Sequence, residues 1–475
     1  MTETAPHTDA PLMVSVSGCR GIVGASLTPD VIARFCSAWA SEVRARTGAR
    51  KPRIVVGRDG RAGGHALLRL AEGALNMAGC DVIRLGVAMT PSVGLMVHRL
   101  SAEGGLVLTA SHNPGEWNGI KPITEEGGAP LPEQARSLIH RFHEGAPEWV
   151  TPERLGGLTE DHSTTDAHVA RVLDAIAAVQ PLESIRECAF KVVVDSVNAS
   201  GAAPAAAVLE ALGCRVTHLN ADGTGIFPHT PEPTAANLTS LCGAVREHGG
   251  DVGFAQDPDG DRLALVDELG AYVGEEYTLV LGAMAYLGSL SPSDARNARL
   301  AANLSTSRMI DDVAAQFGAS VVRTPVGEAN VVSGMRAAGA AFGGEGNGGV
   351  IWRDIVPIRD SIVSMALTLA LMAREGRPLS MVVADVPRYA IEKRKAPAEA
   401  PLVARLADAV RDLYDGADVD EQDGVRLDFE APSGSGRAWL HVRPSNTEPI
   451  VRLIAEAPTA EDAKAILDKA EAALR

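Results

Sequence analysis

The sequence predicts an α/β protein with three related βαβ-type domains and a smaller α+β domain at the carboxyl end. Two observations support this prediction: a degenerate repeat of strand, helix and second strand over most of the chain, and a change to short alternating strands after it. The chain has 475 residues, and single hydrophobic cores rarely grow beyond about 250 residues, so we expect several domains.

The repeat consists of three segments in which an apolar strand leads through a polar or Gly-rich loop into an amphipathic helix, then to glycine and a second strand. Because the strands are nearly continuous in apolar residues, they are typical of sheets covered on both faces. A repeat this loose also arises by chance among α/β proteins, and that alternative stays open. The segments are residues 53–84, 191–217 and 300–322.

Each first strand is followed by polar residues that can cap a helix. Asp59, Ser196 and either Ser305 or Thr306 lie at these positions, and we expect helices to begin there.

The last part of the chain has a different pattern. A charge run and a Pro-containing segment, residues 392–401, indicate entry into a new domain. Alternating apolar residues then predict strands, flanked by two helices, which together indicate a small α+β domain. The predicted helices are residues 402–414 and 460–474, and the predicted strands are residues 425–429, 438–442 and 450–455.

Residues 109–114, Thr-Ala-Ser-His-Asn-Pro, directly follow the apolar run 106–108 and predict a turn that holds Ser111 in the open. A serine that accepts and returns a phosphoryl group must be exposed and oriented. The neighbouring His112 suggests a hydrolase as the alternative. Adjacent residues do not easily form a nucleophile-to-base bond, however, and no GxSxG pattern is present, so we favour the phosphoryl acceptor.

Residues 257–262, Asp-Pro-Asp-Gly-Asp-Arg, place carboxylates at alternating positions. One short loop can turn the oxygens of Asp257, Asp259 and Asp261 onto a hard divalent cation. A phosphate on Ser111 would supply a further oxygen ligand, which favours Mg²⁺ with its octahedral geometry.

An EF-hand is the alternative for this loop, because Glu268 falls at the twelfth position counted from Asp257. The sixth position holds Arg262 instead of the required glycine, and residues 263–266 predict a strand. We therefore disfavour the EF-hand.

Two further loops carry polar groups between apolar segments. In residues 344–349, Gly-Glu-Gly-Asn-Gly-Gly, the carboxylate of Glu345 and the amide of Asn347 can bind sugar hydroxyls. In residues 443–449, Arg-Pro-Ser-Asn-Thr-Glu-Pro, Arg443 suits bidentate phosphate binding. Either loop, taken alone, could be an ordinary turn. The neutral groups that would complete the phosphate site are Ser445, Asn446 and Thr447.

In sequence and order, these four loops resemble the motif loops of the α-D-phosphohexomutases, the family of phosphoglucomutase, phosphomannomutase and phosphoglucosamine mutase. The resemblance covers nearly the whole chain. It implies three α/β domains with mixed sheets and a distinct C-terminal domain around a central cleft. We place these domains at residues 11–157, 158–272, 273–385 and 386–475.

The resemblance implies reversible phosphoryl transfer between C6 and C1 of a hexose phosphate, through phosphorylated Ser111 and a 1,6-bisphosphate. It further implies one Mg²⁺ on Ser111 and the three aspartates, and a glucose- or hexosamine-1,6-bisphosphate activator. Glucosamine phosphate is the favoured substrate, with glucose or mannose phosphate as the alternative. A noncatalytic sugar-phosphate-binding protein is disfavoured, because Ser111 and all three aspartates are intact.

Lys121 and Arg20 match positions that have proton-transfer roles in the family. Arginine is a poor acid or base because its pKa exceeds about 12, so we expect Arg20 to act electrostatically. Lys121 is the better proton carrier, provided that its pKa falls in the cleft. The resemblance assigns substrate binding to His112, Arg262, Glu345, Asn347, Arg443, Ser445, Asn446, Thr447 and Arg452.

One position departs from the commoner family pattern. Gly349 stands where the family usually has histidine, so an acid or base role for that histidine does not carry over. The Asn-Gly-Gly variant of this loop resembles forms in archaeal-type members, whose sugar preference is less settled.

Composition excludes several other classes of protein. The net charge of −16 argues against a nucleic-acid-binding surface. The six cysteines lack CxxC spacing, which favours reduced thiols in the cytoplasm over zinc or disulfides. Residues 1–10 do not resemble a signal peptide, and the apolar stretches are shorter than the ~20 residues of a membrane span. We expect a monomer or homodimer that binds small hexose phosphates.

Overall fold

The computed structural model describes residues 11–397, 406, 408–444 and 450–474. Within these residues the strands form four sheets, and the first sheet has seven strands. The first ten residues, for which we predict no signal peptide, lie outside this part. In chain order the strands of the first sheet are β1 Met13–Ser15, β2 Gly18–Ile22, β3 Arg53–Arg58, β4 Asp81–Val87, β5 Gly104–Leu108, β6 Trp117–Thr124 and β7 Leu158–Glu160.

The second and third sheets have four strands each. The second contains β8 Lys191–Asp195, β9 Arg215–Leu219, β10 Val252–Gln256 and β11 Leu263–Asp267. The third contains β12 Arg299–Asn303, β13 Ser320–Thr324, β14 Phe342–Glu345 and β15 Gly349–Trp352.

One four-strand plan recurs in the first three sheets. The orders β4-β3-β5-β6, β9-β8-β10-β11 and β13-β12-β14-β15 are equivalent, with the first three strands of each set parallel and the last antiparallel. The strand repeat predicted from the sequence is therefore a repeat of sheet topology, and the prediction of mixed sheets is confirmed. Each third strand is followed by one of the candidate site loops.

The fourth sheet is antiparallel throughout, in the order β16-β20-β19-β18-β17. It confirms the predicted change of architecture. The predicted helix over residues 402–414 lies partly outside the described residues. The strands are β16 Ala390–Pro397, β17 Asp418–Asp420, β18 Val425–Glu430, β19 Arg437–Pro444 and β20 Ile450–Ala457.

Helices cover the sheets, and none of those in the described ranges is both long and apolar enough to cross a membrane. In the first two domains they are Pro29–Thr47, Gly64–Met77, Thr90–Arg99, Pro132–Glu144, Thr164–Val179, Leu182–Cys188, Ala202–Ala211 and Thr239–His248, with a 3₁₀ turn at Pro152–Arg154. In the last two they are Glu275–Leu287, Pro292–Asn297, Met309–Gln316, Glu328–Ala338, Ser361–Glu375, Leu379–Ala384 and Ala460–Ala473.

The predicted helix caps were wrong. The helices after β3, β8 and β12 begin at Gly64, Ala202 and Met309, several residues beyond the polar side chains expected to cap them. Those side chains make tertiary contacts instead: Ser196, for example, donates to Gln256 Oε1 at 2.7 Å.

Strand β7 bears on the first domain boundary. It pairs with β4 through Val82 and Leu158, and so belongs to the first sheet. A division at residues 157 and 158 would separate this strand from its sheet. We therefore propose that the first domain extends to residue 160.

A buried polar network joins the first three domains. The Ser92 hydroxyl lies 2.8 Å from His168 Nδ1, and His168 Nε2 lies 2.7 Å from Asp360 Oδ2. All three side chains are buried, so this Ser-His-Asp set cannot meet a substrate. Ser92 lies in the helix Thr90–Arg99, and Asp360 caps the helix Ser361–Glu375 by accepting from Ile362 N and Val363 N. His168 thus holds two helix N-termini together.

Replacing His168 with Ala should destabilise the protein. Loss of the imidazole leaves a buried carboxylate and hydroxyl without this partner, at a cost of about 3 kcal/mol. We expect the melting temperature to fall by about 6–12 °C, at ~2–4 °C per kcal/mol. Thermal unfolding followed by circular dichroism measures this. His162→Ala, at an exposed histidine, is the control; equal melting of the two variants would contradict the role of His168.

Candidate active site

The Ser111 turn follows the carboxyl end of β5 directly. Ser111 itself adopts a left-handed backbone conformation with φ 50°, which is uncommon for a residue other than glycine. Its hydroxyl donates to Asp257 Oδ2 at 3.1 Å and lies 3.3 Å from His112 Nδ1. The expectation that this serine is exposed was wrong: Ser111 is 2% exposed, because the aspartate loop of the second domain lies against it.

Buried hydrogen bonds hold the turn rigid. The Thr109 hydroxyl accepts from Ser111 N at 2.8 Å and donates to Asp59 Oδ2 at 2.7 Å. Arg61 pairs with Asp59 at 2.7 Å and donates to the carbonyls of Ser111 and Trp117. Sequence reasoning missed this ion pair because it took Asp59 for a helix cap. A buried arginine two residues from a buried aspartate fixes the backbone around Ser111.

The aspartate loop gathers three carboxylates. Asp257, Asp259 and Asp261 are buried, and one oxygen from each lies within 4.8 Å of the others. Oδ1 of Asp259 and Oδ1 of Asp261 are buried without a hydrogen-bond partner in the described part of the chain. Three hard oxygen donors, two of them with unused acceptors, suit a divalent cation such as Mg²⁺. The three carboxylates can therefore hold a metal ion.

Both neighbouring domains fix the shape of this loop. Asp257 Oδ1 accepts from the amides of Asp261 and Arg262, each at 3.1 Å, which closes the turn. Thr90 N donates to the Asp259 carbonyl at 2.8 Å, and Ser361 N donates to the Gly260 carbonyl at 3.1 Å. The loop is consequently positioned by the same two helix N-termini that His168 joins.

Burial and mutual repulsion split the pKa values of the three carboxyls. Burial, Asp261 and Asp259 raise the pKa of Asp257 well above its usual range. Burial also opposes ionisation of Asp261, but Arg359 and Lys121 outweigh it and hold that pKa well below the usual range. Asp259 has a lowered pKa for a similar reason, since Lys121 and the Thr90 hydroxyl overcome burial and Asp261.

Lys121 departs from expectation. Its Nζ lies 3.0 Å from both Asp259 Oδ2 and Asp261 Oδ2. Burial disfavours its charge, yet the carboxylates of Asp259, Asp261 and Glu328 prevail and raise the pKa above its ordinary value. The lowered pKa on which its role as proton carrier depends is absent here, and Lys121 is held as a cation.

Two arginines line the cleft beside Ser111. Arg20 Nη1 donates to Asn113 Oδ1 at 3.3 Å, and Arg262 Nε lies 3.8 Å from Asp261 Oδ1. Arg262, burial and Arg20 lower the pKa of His112 to about 2. His112 is therefore a neutral imidazole among cations, in keeping with an anion-binding pocket.

The cleft has a volume of about 490 Å³ and is lined by residues of all four predicted domains, including Arg20, Arg262, Asn347 and Asp423. In its wall, Glu345 Oε1 accepts from Asn303 Nδ2 at 2.7 Å and from Gly327 N at 3.1 Å. Asn347 Oδ1 is buried and without a partner in the described residues, so it is available to a ligand.

The EF-hand alternative is excluded. Glu268 accepts from the Ser380 amide and hydroxyl instead of facing the aspartate loop. Residues Leu263–Asp267 form β11, as the sequence predicts.

Arg443 lies at the end of β19. Its Nε donates to Asp423 Oδ2 at 2.8 Å, and the same oxygen accepts from Val326 N at 3.0 Å. Its Nη2 is buried and has no partner among the described residues. Arg452 is directly opposite Arg443 in the β19–β20 pair. The other predicted members of this loop, Ser445, Asn446 and Thr447, lie outside the described residues.

Comparison with known proteins identifies the family. The chain matches four models of the phosphoglucomutase/phosphomannomutase family: alpha/beta/alpha domains I, II and III at residues 12–148, 169–270 and 275–389, and the C-terminal domain at residues 391–473. A Methanopyrus kandleri protein named "Probable phosphoglucosamine mutase" is 36% identical over 95% of both chains. The chain belongs to the phosphoglucomutase/phosphomannomutase family.

Other relatives agree. A Thermococcus kodakarensis protein named "Phosphoglucomutase/phosphomannomutase" is 33% identical over 95% of this chain and 96% of its own. A solved phosphoglucomutase/phosphomannomutase family protein from Burkholderia thailandensis superposes with a TM-score of 0.81 at 26% identity, covering 97% of this chain and 96% of its own. The predicted family and its class of enzyme, the mutase isomerases, are confirmed.

Sequence reasoning missed two residues of the phosphohexomutase cleft. Arg359 pairs with Asp261, and Asp423 binds Arg443. Neither belongs to a recognisable motif loop. Arg359 precedes Asp360, and Asp423 ends a short acidic run, so neither stands out among the charged residues of the sequence.

Asp259→Asn should weaken Mg²⁺ binding at least tenfold, about 1.4 kcal/mol, because one anionic ligand of three is lost. Isothermal titration calorimetry with MgCl₂ measures the change. Asp222→Asn, at an exposed turn, is the control and should bind as the parent does. Unchanged Mg²⁺ affinity in Asp259→Asn would refute the metal site.

Proposed function

We propose that this family member is a Mg²⁺-dependent phosphohexomutase that moves a phosphoryl group between C6 and C1 of a hexose phosphate. In this proposal phosphorylated Ser111 donates to the free hydroxyl, a 1,6-bisphosphate forms, and Ser111 takes back the other phosphoryl group. The observation that carries the proposal is the Ser111 hydroxyl, 3.1 Å from Asp257 within a buried set of three carboxylates. We also expect a glucose- or hexosamine-1,6-bisphosphate to restore phosphate to Ser111 and so activate the enzyme.

The residues around Ser111 support phosphoryl transfer by charge compensation. In the forward half-reaction the sugar oxygen bonds to phosphorus and the bond from phosphorus to Ser111 Oγ breaks. The sugar hydroxyl loses its proton, and Ser111 Oγ gains one. Arg20 contacts the turn through Asn113, while Arg262 and protonated Lys121 contact the aspartates that lie against it. In this proposal the three cations stabilise negative charge on the transferring oxygens. Mg²⁺ held by the three aspartates would neutralise further charge at the same oxygens.

The far end of the cleft supports binding of the second phosphate. Arg443 has a buried Nη2 without a partner in the described chain, and Arg452 is paired with it in register. Asp423 fixes the orientation of the Arg443 guanidinium through its Nε. Between the two ends, Glu345 and the unsatisfied Asn347 Oδ1 line the space proposed for the sugar ring.

Glucosamine phosphate is the substrate that we propose, with glucose and mannose phosphates as the alternative. The relatives favour this order without deciding it, since the name of the Methanopyrus protein specifies glucosamine and that of the Thermococcus protein glucose and mannose. Turnover of the three 6-phosphates, primed with glucose 1,6-bisphosphate, distinguishes them. A higher kcat/KM for glucose or mannose 6-phosphate would overturn the order, and binding without turnover of any sugar would leave only a sugar-phosphate-binding protein.

Ser111→Ala should remove nearly all mutase turnover and leave the fold intact, since the change deletes one oxygen and no packing group. Intact-mass analysis should find one phosphate on the parent and none on the variant. Ser293→Ala, at an exposed serine of the helix Pro292–Asn297, is the control and should keep both. A fully active Ser111→Ala, or phosphate retained in that variant, would refute the phosphoserine.

Arg443→Lys should raise KM more than it lowers kcat, because a point charge cannot reproduce the bidentate grip of guanidinium on phosphate. A smaller loss of kcat agrees with this role, since binding at a remote phosphate also orients the reacting centre. Steady-state kinetics measures both constants. Arg437→Lys on the same strand, where Arg437 pairs with Asp418, is the control. A kcat/KM within about twofold of the parent, under ~0.5 kcal/mol, would contradict the assignment.

A further inference from the structure

One buried guanidinium connects three loops of the cleft. Arg359 Nη2 donates to Asp261 Oδ2 at 2.7 Å, and Nη1 donates to Glu345 Oε2 at 2.5 Å. Its Nε lies 3.2 Å from Glu328 Oε2. The three carboxylates come from the aspartate loop at residues 257–262, the loop at residues 344–349 (the sugar loop) and the start of the helix Glu328–Ala338. The planar guanidinium thus donates to two carboxylates through its Nη groups and forms an ion pair with the third through Nε, whereas a lysine ammonium is a point charge.

The backbone that carries Arg359 is fixed on both sides. Arg359 N donates to Glu328 Oε2 at 3.1 Å, and Asp360 N donates to the Val350 carbonyl at 2.8 Å. Ser361 donates to the Gly260 carbonyl through its amide and its hydroxyl. The backbone at Arg359 is therefore held by hydrogen bonds of its neighbours to the aspartate loop and to β15, the strand that follows the sugar loop.

Gly349 leaves the space that the Arg359 side chain occupies. A Cβ at Gly349 would lie 2.1 Å from Arg359 Cδ and 2.8 Å from Cγ, too close for the arginine to stay in place. The backbone itself does not require glycine here, because Gly349 is absent from the positive-φ residues of the described chain. Gly349 is also the direct partner of Glu345 in the β14–β15 pair. The missing side chain thus lets Arg359 pass to Glu345.

We propose that Arg359 is a positioning residue: it sets the Glu345 carboxylate against the metal loop, and Gly349 is needed because it makes room for this arginine. This inference rests on the proposed function, since it concerns the order of that same cleft. Arg359 acts through Glu345 and Asp261 and not on the phosphoryl group. Without it, Glu345 keeps the two hydrogen bonds to Oε1 from Asn303 and Gly327 but loses the one that fixes Oε2. A reacting sugar displaced by about 1 Å as a result loses about 100-fold in rate.

A double-mutant cycle tests both halves of the proposal. Gly349→Ala and Arg359→Ala should each lower kcat/KM for glucosamine 6-phosphate by about 100-fold. In the Arg359→Ala background, Gly349→Ala should lower kcat/KM by less than about tenfold, because the Arg359 side chain is gone and only Asn347 Oδ1, 3.1 Å from the new Cβ, has to shift slightly. Gly243→Ala, at a helical glycine with no atom within 4 Å of its would-be Cβ, is the control and should match the parent.

Further variants separate positioning from loss of the fold. Arg359→Lys should stay impaired, since one ammonium cannot bind three carboxylates. Arg359→Ser, which removes Cδ, the atom nearest to a Cβ at Gly349, replaces Arg359→Ala in the cycle if that variant does not fold. In each folded variant, calorimetry with MgCl₂ alone should give a dissociation constant no more than about threefold weaker than in the parent, because the three aspartates remain. Loss of Mg²⁺ binding together with turnover would indicate a collapsed site and overturn the positioning role.

The two failures can be told apart. The positioning role is overturned if Gly349→Ala lowers kcat/KM by the same factor in both backgrounds, or if the kcat/KM of Arg359→Ala lies within twofold of the parent value. In either case the mutase assignment stands. If the parent turns over no hexose phosphate, the proposed function fails. The cycle is then run on binding of glucosamine 6-phosphate by calorimetry, where the same non-additivity is expected and additivity overturns it.

Discussion

Three carboxyl groups buried in one loop are the constraint on which the rest of the structure depends. Asp257, Asp259 and Asp261 are all fully buried, so their repulsion is screened little by water. The protein compensates with cations from other domains: Lys121 comes from the first sheet and Arg359 from the third domain. A buried charge without a partner is costly, so the ion pairs of the aspartate loop with Lys121 and Arg359 hold the first and third domains against the second. Ion pairs between domains, and not apolar packing alone, therefore hold the cleft residues in place.

The topological repeat explains why the parts meet. In each of the first three sheets the third strand of the common plan ends at a functional loop, and an antiparallel fourth strand follows. Strand β5 leads to Ser111, β10 to Asp257 and β14 into the Glu345 loop. Ligands of open α/β sheets bind beyond the carboxyl ends of strands, and here three sheets contribute one such edge each. The fourth domain adds Asp423 to the lining of the cleft, and Asp423 binds Arg443 at the end of β19.

Much of this arrangement was predictable from sequence, because strand runs and motif loops are local signals. The mixed sheets, the C-terminal change of architecture and the family follow from them. What failed depended on contacts between distant segments. Ser111 is covered by a loop 146 residues away, and Asp59 accepts from the Thr109 hydroxyl, 50 residues away, instead of capping a helix. The pKa of Lys121 rises because two carboxylates face it, and Arg359 carries no motif at all.

The central claim is that phosphate on Ser111 and a metal ion on the three aspartates share one site, and phosphorus NMR tests it most directly. The protein is first phosphorylated with glucose 1,6-bisphosphate, and its phosphoserine resonance is then followed as Mn²⁺ replaces Mg²⁺. The paramagnetic ion should broaden that resonance strongly at stoichiometric concentration in the parent, and much less in Asp259→Asn. A phosphoserine signal that stays sharp while Mn²⁺ is bound would place phosphate and metal apart and contradict the account.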